Sequence, residues 1–129
     1  MDETGTGDQW GGQRNTSPRS ASEPTRAANA AIAAQLPFDD QQAFNDAHRG
    51  FVAALDPPVI TGASGRTVWS LEPYDFLRGE APDTVNPSLW RMAQLNQIHG
   101  LFTVREKIHQ VRGYDLSNMT VIEGTRGTS

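Results

Sequence analysis

Apolar positions are unevenly spread along the chain, and their spacing marks the elements. Residues 1–24 carry Gly, Ser, Thr, Pro and charged side chains, with Trp10 the single large apolar residue. So little apolar surface does not offset the entropy of ordering, which predicts a disordered tail. Thr25–Leu36 is alanine-rich and predicts a first helix, stopped at Pro37. Phe44, Ala47, His48, Phe51, Val52 and Leu55 then recur at helical spacing. Asp39 caps this predicted second helix, with Gln42 three residues later, and Asp56-Pro57-Pro58 ends it. Val59-Ile60 and Thr67-Val68-Trp69 flank a Gly62–Gly65 turn and predict a short hairpin, followed by one helical turn at Pro73–Leu77. Asn86-Pro87-Ser88 opens a third helix that runs to about His99, with Gly100 as its left-handed cap. Leu89, Trp90, Met92, Ala93, Leu95 and Ile98 cover more than one of its faces, so burial on two sides is expected. Lys107–Arg112 and Met119–Gly124 are strand-like runs joined by Gly113–Asn118.

The expected fold class is therefore α+β. A disordered tail (1–24) precedes a helical region (25–105), and residues 106–129 supply a β-hairpin. A lone hairpin is marginal in water, so the pattern reads as an interrupted sheet.

Composition narrows the function classes. Of 129 residues, 36% are hydrophobic, below the roughly 45–50% apolar usage of globular domains, so the core is modest. Eleven Lys+Arg against 15 Asp+Glu give a net charge of −4, which argues against a nucleic-acid partner. The absence of cysteine excludes disulfides, thiolate zinc sites and cysteine nucleophiles from this sequence. No apolar run approaches the roughly 20 residues of a membrane span. Met1-Asp2-Glu3-Thr4 lacks the basic start of a secretory signal, so a cytoplasmic location is expected.

Candidate chemistry is sparse. His48, His99 and His109 are the three histidines, and no two have H-x-H or H-x-x-x-H spacing. His48 lies on an apolar stripe and His109 in a strand, and both read as packing residues. His99 ends a helix, where it interacts with the terminal carbonyls. Asp39-Asp40 and the looser set Asp75, Glu80 and Asp83 carry no spacing that makes an acid–base pair converge. Gly62-Ala63-Ser64-Gly65 lacks the lysine and helix of a phosphate loop and reads as a turn. The residues alone assign no catalytic and no metal-binding position.

Several separated blocks nevertheless form a recognisable set. They are Gln35-Leu36-Pro37-Phe38-Asp39-Asp40, Arg49-Gly50-Phe51-Val52-Ala53, Gly65-Arg66-Thr67-Val68-Trp69 and Ala81-Pro82-Asp83-Thr84-Val85-Asn86-Pro87-Ser88-Leu89-Trp90-Arg91. Leu95-Asn96-Gln97-Ile98-His99-Gly100-Leu101-Phe102 and the run Ile108 to Gly124, with its Arg112-Gly113-Tyr114-Asp115-Leu116-Ser117-Asn118-Met119-Thr120, complete it. Over residues 33–124 the sequence resembles the N-terminal part of the linear primary alkyl sulfatases of the metallo-β-lactamase superfamily.

The resemblance implies an αββα sandwich of which this chain holds helices and the first β-hairpin. It implies two zinc ions, and hydrolysis of long-chain primary alkyl sulfate esters such as dodecyl sulfate. It also implies a homodimer, built through a domain this sequence does not contain. The family's H-x-H-x-D-H zinc motif lies downstream of the matched region, so no position here inherits a metal or catalytic role. Tyr114, Asp115, Leu116, Ser117 and Asn118 are the candidates for the rim of the substrate site. Thr125–Ser129 depart from the family pattern, which reads as truncation or a frameshift. The alternatives are a stand-alone helical interaction module, with Trp90, Met92 and Phe102 on an exposed apolar patch, or a non-functional truncated product.

Overall fold

The computed structural model describes residues 19–125. Most of the expected tail, residues 1–18, lies outside them. The architecture is a mixed α+β arrangement of three helices, a two-stranded hairpin and a four-stranded antiparallel sheet.

Helix α1 spans Glu23–Gln35. It starts two residues before the expected Thr25 because the Ser22 hydroxyl accepts from the Thr25 N–H and Pro24 sits in the first turn. Helix α2 spans only Gln42–His48. Its first free N–H, that of Gln42, donates to the carboxylate of Asp40 (2.8 Å), not of Asp39 as expected.

The expected helix through Leu55 is corrected: Gly50, at φ +75°, turns the chain, and Phe51–Ala53 form strand β1. The helical spacing of Phe51 and Val52 is coincidental, because their partner is strand β4 some 50 residues on. Phe51 and Leu55 are about half exposed instead of packed inward along a helix.

Strands β2 (Val59–Thr61) and β3 (Thr67–Ser70) form the expected hairpin. A 3-10 turn follows at Glu72–Tyr74. Helix α3 spans Pro87–Asn96, with the Ser88 N–H donating to the Asn86 side chain (2.9 Å). It packs against α1 and α2. Arg26 and Asn29 of α1 both bind Asp83, the first through its carboxylate (3.1 Å) and the second through its carbonyl (2.8 Å). Trp90 and Gln94 of α3 both donate to the carbonyl of Gly79 (3.0 and 2.9 Å).

Gly100 does not close that helix. It opens strand β4 (Gly100–Arg105) at φ +139°, where a Cβ would lie 2.6 Å from the Ala53 carbonyl oxygen. β5 (Ile108–Arg112) and β6 (Met119–Ile122) complete a sheet in the order β1-β4-β5-β6. The region expected to be helical up to residue 105 thus contains four strands, and two of them join the sheet that the C-terminal hairpin was expected to begin.

Register sorts the sheet's side chains by face. Leu101, Thr103, His109, Val111, Met119 and Val121 share one face; Phe51, Phe102, Gln110, Arg112 and Thr120 share the other. Among the described residues, Phe102 (0% exposed) and Leu71 (6%) are the buried apolar side chains. Phe102 meets Phe51 edge-on at 5.6 Å. The expected exposed patch of Trp90, Met92 and Phe102 is therefore not formed: Phe102 is fully buried, Trp90 half-buried, and of the three only Met92 is exposed. All four residues of β6 are exposed. No helix among the described residues is long and apolar enough to cross a membrane.

Three outcomes are expected. Asn86→Ala removes the α3 cap and lowers stability by about 1 kcal/mol, read from a thermal melt. Gly100→Ala forces both a strained φ and a backbone collision, and costs more, roughly 2–4 kcal/mol. Strand β6 carries no charge or proline, and one edge of it lacks a partner among the described residues, so it offers a template for association. Sedimentation should show self-association that Val121→Lys reverses. A wild-type monomer at the same concentration would contradict this.

Candidate functional site

The five rim candidates occupy the β5–β6 connection, and the structure separates their roles. Gly113 enters it at φ +80°, with the position a Cβ would take lying 2.6 Å from the His99 Cβ, so no side chain fits there. Tyr114 is half-buried. Its hydroxyl accepts from the Leu55 N–H (2.8 Å) and its ring meets His99 edge-on at 5.3 Å. Tyr114 therefore ties the loop to the segment after β1. The Asp115 carboxylate accepts from the Leu116 N–H (2.6 Å), which folds the tip locally. Asp115, Leu116, Ser117 and Asn118 are exposed, and Leu116 is 99% accessible. An almost fully accessible leucine on an anchored loop offers an apolar contact at the end of the sheet.

The histidines are held apart by the fold. His109 faces Thr103 across the β4–β5 ladder; its ring nitrogens lie 3.3 Å from the Thr103 hydroxyl and 2.9 Å from the Glu123 carboxylate. His99 lies at the other end of that strand pair, before Gly100. Its Nδ1–H donates to the Gln97 carbonyl (2.7 Å). His48 does the same to the Phe44 carbonyl (2.8 Å). Since a carbonyl only accepts, the neutral form of each ring carries its lone pair on Nε2. His48 and His99 line one cleft of about 340 Å³ together with Phe51, Ala54, Gln97 and Ile98. Sequence spacing gave no sign of that convergence, because the two residues lie on different elements.

A larger cleft, of about 900 Å³, opens between the helices and is walled by Phe38, Phe44, Leu77, Trp90 and Ile98. Arg91 is fixed at its edge by the Phe38 and Asp40 carbonyls, and its guanidinium lies 5.0 Å from the Phe44 ring centre. Among the described residues no group of three His, Asp or Glu side chains is placed to hold a metal ion. The two-zinc centre implied by the resemblance does not fit these residues.

Arg112 was not singled out by sequence reasoning. Its guanidinium carbon lies 3.6 Å from the Phe102 ring centre, and its buried Nε has no partner among the described residues. An arginine between Val111 and Gly113 at a strand end was the available signal.

No family model matches the chain. It is 48% identical over 124 residues to a linear primary-alkylsulfatase of Pseudomonas sp., covering 95% of this chain and 18% of that protein. An alkyl/aryl-sulfatase of Saccharomyces cerevisiae is 52% identical across 78% of this chain, and an (R)-specific secondary-alkylsulfatase of Pseudomonas sp. 50% identical across 83%; each is matched over 16% of its own length. A solved structure, the stereoselective inverting sec-alkylsulfatase of Pseudomonas sp., superposes with a TM-score of 0.76 at 50% identity, over 82% of this chain and 17% of that one. The homologues of this chain are alkylsulfatases, and it spans less than a fifth of their length.

Proposed function

We propose that this chain is the N-terminal portion of an alkylsulfatase that hydrolyses long-chain primary alkyl sulfate esters, dodecyl sulfate among them, to alcohol and sulfate. The observation that carries the reading is the joint match of sequence and fold to the sec-alkylsulfatase structure over 82% of this chain. Preference for primary esters is supported by the linear primary-alkylsulfatase, whose alignment extends over 95% of this chain. The described residues serve as scaffold. Helices α1 and α3 are tied to the loops beside them through Asp83, Gly79 and Arg91, and the sheet holds the loop 114–118. That loop is assigned to the rim of the substrate site, where Leu116 offers apolar contact to an alkyl tail. The zinc ligands and the dimer interface are assigned to the length of the relatives that this chain does not span.

A second reading, a module that binds another protein through α3, is supported by the exposure of Leu89 (64%) and Met92 (55%).

Sulfate release from dodecyl sulfate separates the readings. This chain alone is expected to release none above a no-protein control. A protein whose reading frame extends to the relatives' length should release sulfate, faster from a primary than from a secondary ester. In that longer protein Leu116→Asp should raise KM for dodecyl sulfate roughly tenfold, the size expected for losing a leucine contact. Release by this chain alone overturns the scaffold assignment. An inactive longer protein removes the sulfatase reading and leaves the interaction module.

A further inference from the structure

Arg112 is a charged group that its surroundings do not complete. The other arginines of the described residues are accounted for. Arg26, Arg49 and Arg78 pair with carboxylates, Arg91 donates to two carbonyls, and Arg19, Arg66 and Arg105 are exposed to water. Arg112 is half-buried and enters none of the ion pairs among the described residues. Its Nε has no hydrogen-bond partner there and no contact with solvent. An N–H donor withdrawn from water without an acceptor is costly, so such groups are paired where they occur.

The packing also fixes how the side chain can be approached. The face of the guanidinium lies on the ring of Phe102, 3.6 Å away, and Phe102 itself is fully buried and braced by Phe51. Stacking occupies the face of the plane and leaves its edge, where the N–H donors lie. Nε is closed to solvent, so the open fork is the pair of terminal Nη groups, whose spacing matches two oxygens of one anion. Arg112 also stands at the root of the 114–118 loop, directly before Gly113.

We propose that Arg112 is an oxyanion-binding position, its guanidinium held on Phe102 so that the free edge takes two oxygens of a sulfo or carboxylate group. The sulfo group would come from a sulfate ester or free sulfate, the carboxylate from a side chain outside residues 19–125. The proposal rests on the arginine's surroundings and not on the hydrolytic reading, so each can fail without the other.

The test is a titration of the full ¹⁵N-labelled chain, following the Arg112 Nε–H signal and the backbone amides of Gly113 and Tyr114. Sodium sulfate and sodium acetate are compared with sodium chloride at equal ionic strength. A saturable response to sulfate or acetate, absent with chloride, is the expected result. Tighter binding of sulfate identifies a sulfo group as the occupant; acetate binding as tight or tighter identifies a carboxylate. Arg112→Lys keeps the charge but loses the fork, and should weaken the amide response by on the order of tenfold. A response that follows ionic strength alone, or that survives unchanged in the lysine variant, overturns the proposal. If the lysine variant does not fold, the wild-type titration decides, because an anion response equal to that of chloride excludes the site.

Discussion

The burial of one side chain, Phe102, is what the sheet depends on. It is the largest fully buried residue described, and it lies in β4 between two neighbours that both use it. On one side Phe51 meets it edge-on and brings β1 alongside. On the other side Arg112 of β5 lies over its ring. Aromatic burial and cation–π contact thus act on one ring: Phe51 shares its register line, and Arg112 reaches it diagonally from the position opposite Gly100. The backbone reinforces that point. The Thr103 N–H donates to the Gly50 carbonyl at 2.7 Å, which closes the bend between α2 and β1 onto β4.

This concentration explains why so much else is exposed. With Phe102 and Leu71 as the buried apolar residues among those described, Met119, Val121 and Ile122 of β6, Leu89 and Met92 of α3 and Leu116 of the loop are exposed. Soluble proteins seldom leave so many large apolar groups uncovered. The alkylsulfatase homologues are more than five times as long as the matched segment.

The sequence was most legible where structure is local. Asn86-Pro87 announces α3 through a cap two residues away, and the Gly62–Gly65 turn announces the β2–β3 hairpin. It was least legible where pairing is distant. Phe51 and Val52 continue the spacing of Phe44 and Ala47, so local periodicity reads a helix through them; the β4 partner and the turn at Gly50 decide otherwise. Gly100 follows a helix and resembles its cap, yet it is glycine because the Ala53 carbonyl lies where a Cβ would be. At the candidate site the same division holds. The loop 114–118 was visible as a loop. Tyr114 acting as a tether, His48 and His99 sharing a cleft, and Arg112 lying on Phe102 all require contacts between elements.

The Thr103 amide reports most directly on whether Phe102 joins these strands. Its hydrogen bond to Gly50 exists only while β1 and β4 are docked. Native-state hydrogen exchange, measured by NMR on the wild type and on Phe102→Leu, resolves this bond from the others. The account predicts that Thr103 exchanges among the slowest amides in the wild type. In the variant it should lose protection together with the amides of β1, β4 and β5, while α1 amides change little. An unprotected Thr103 in the wild type, or protection unchanged in the variant, would show that the sheet does not hang on this side chain.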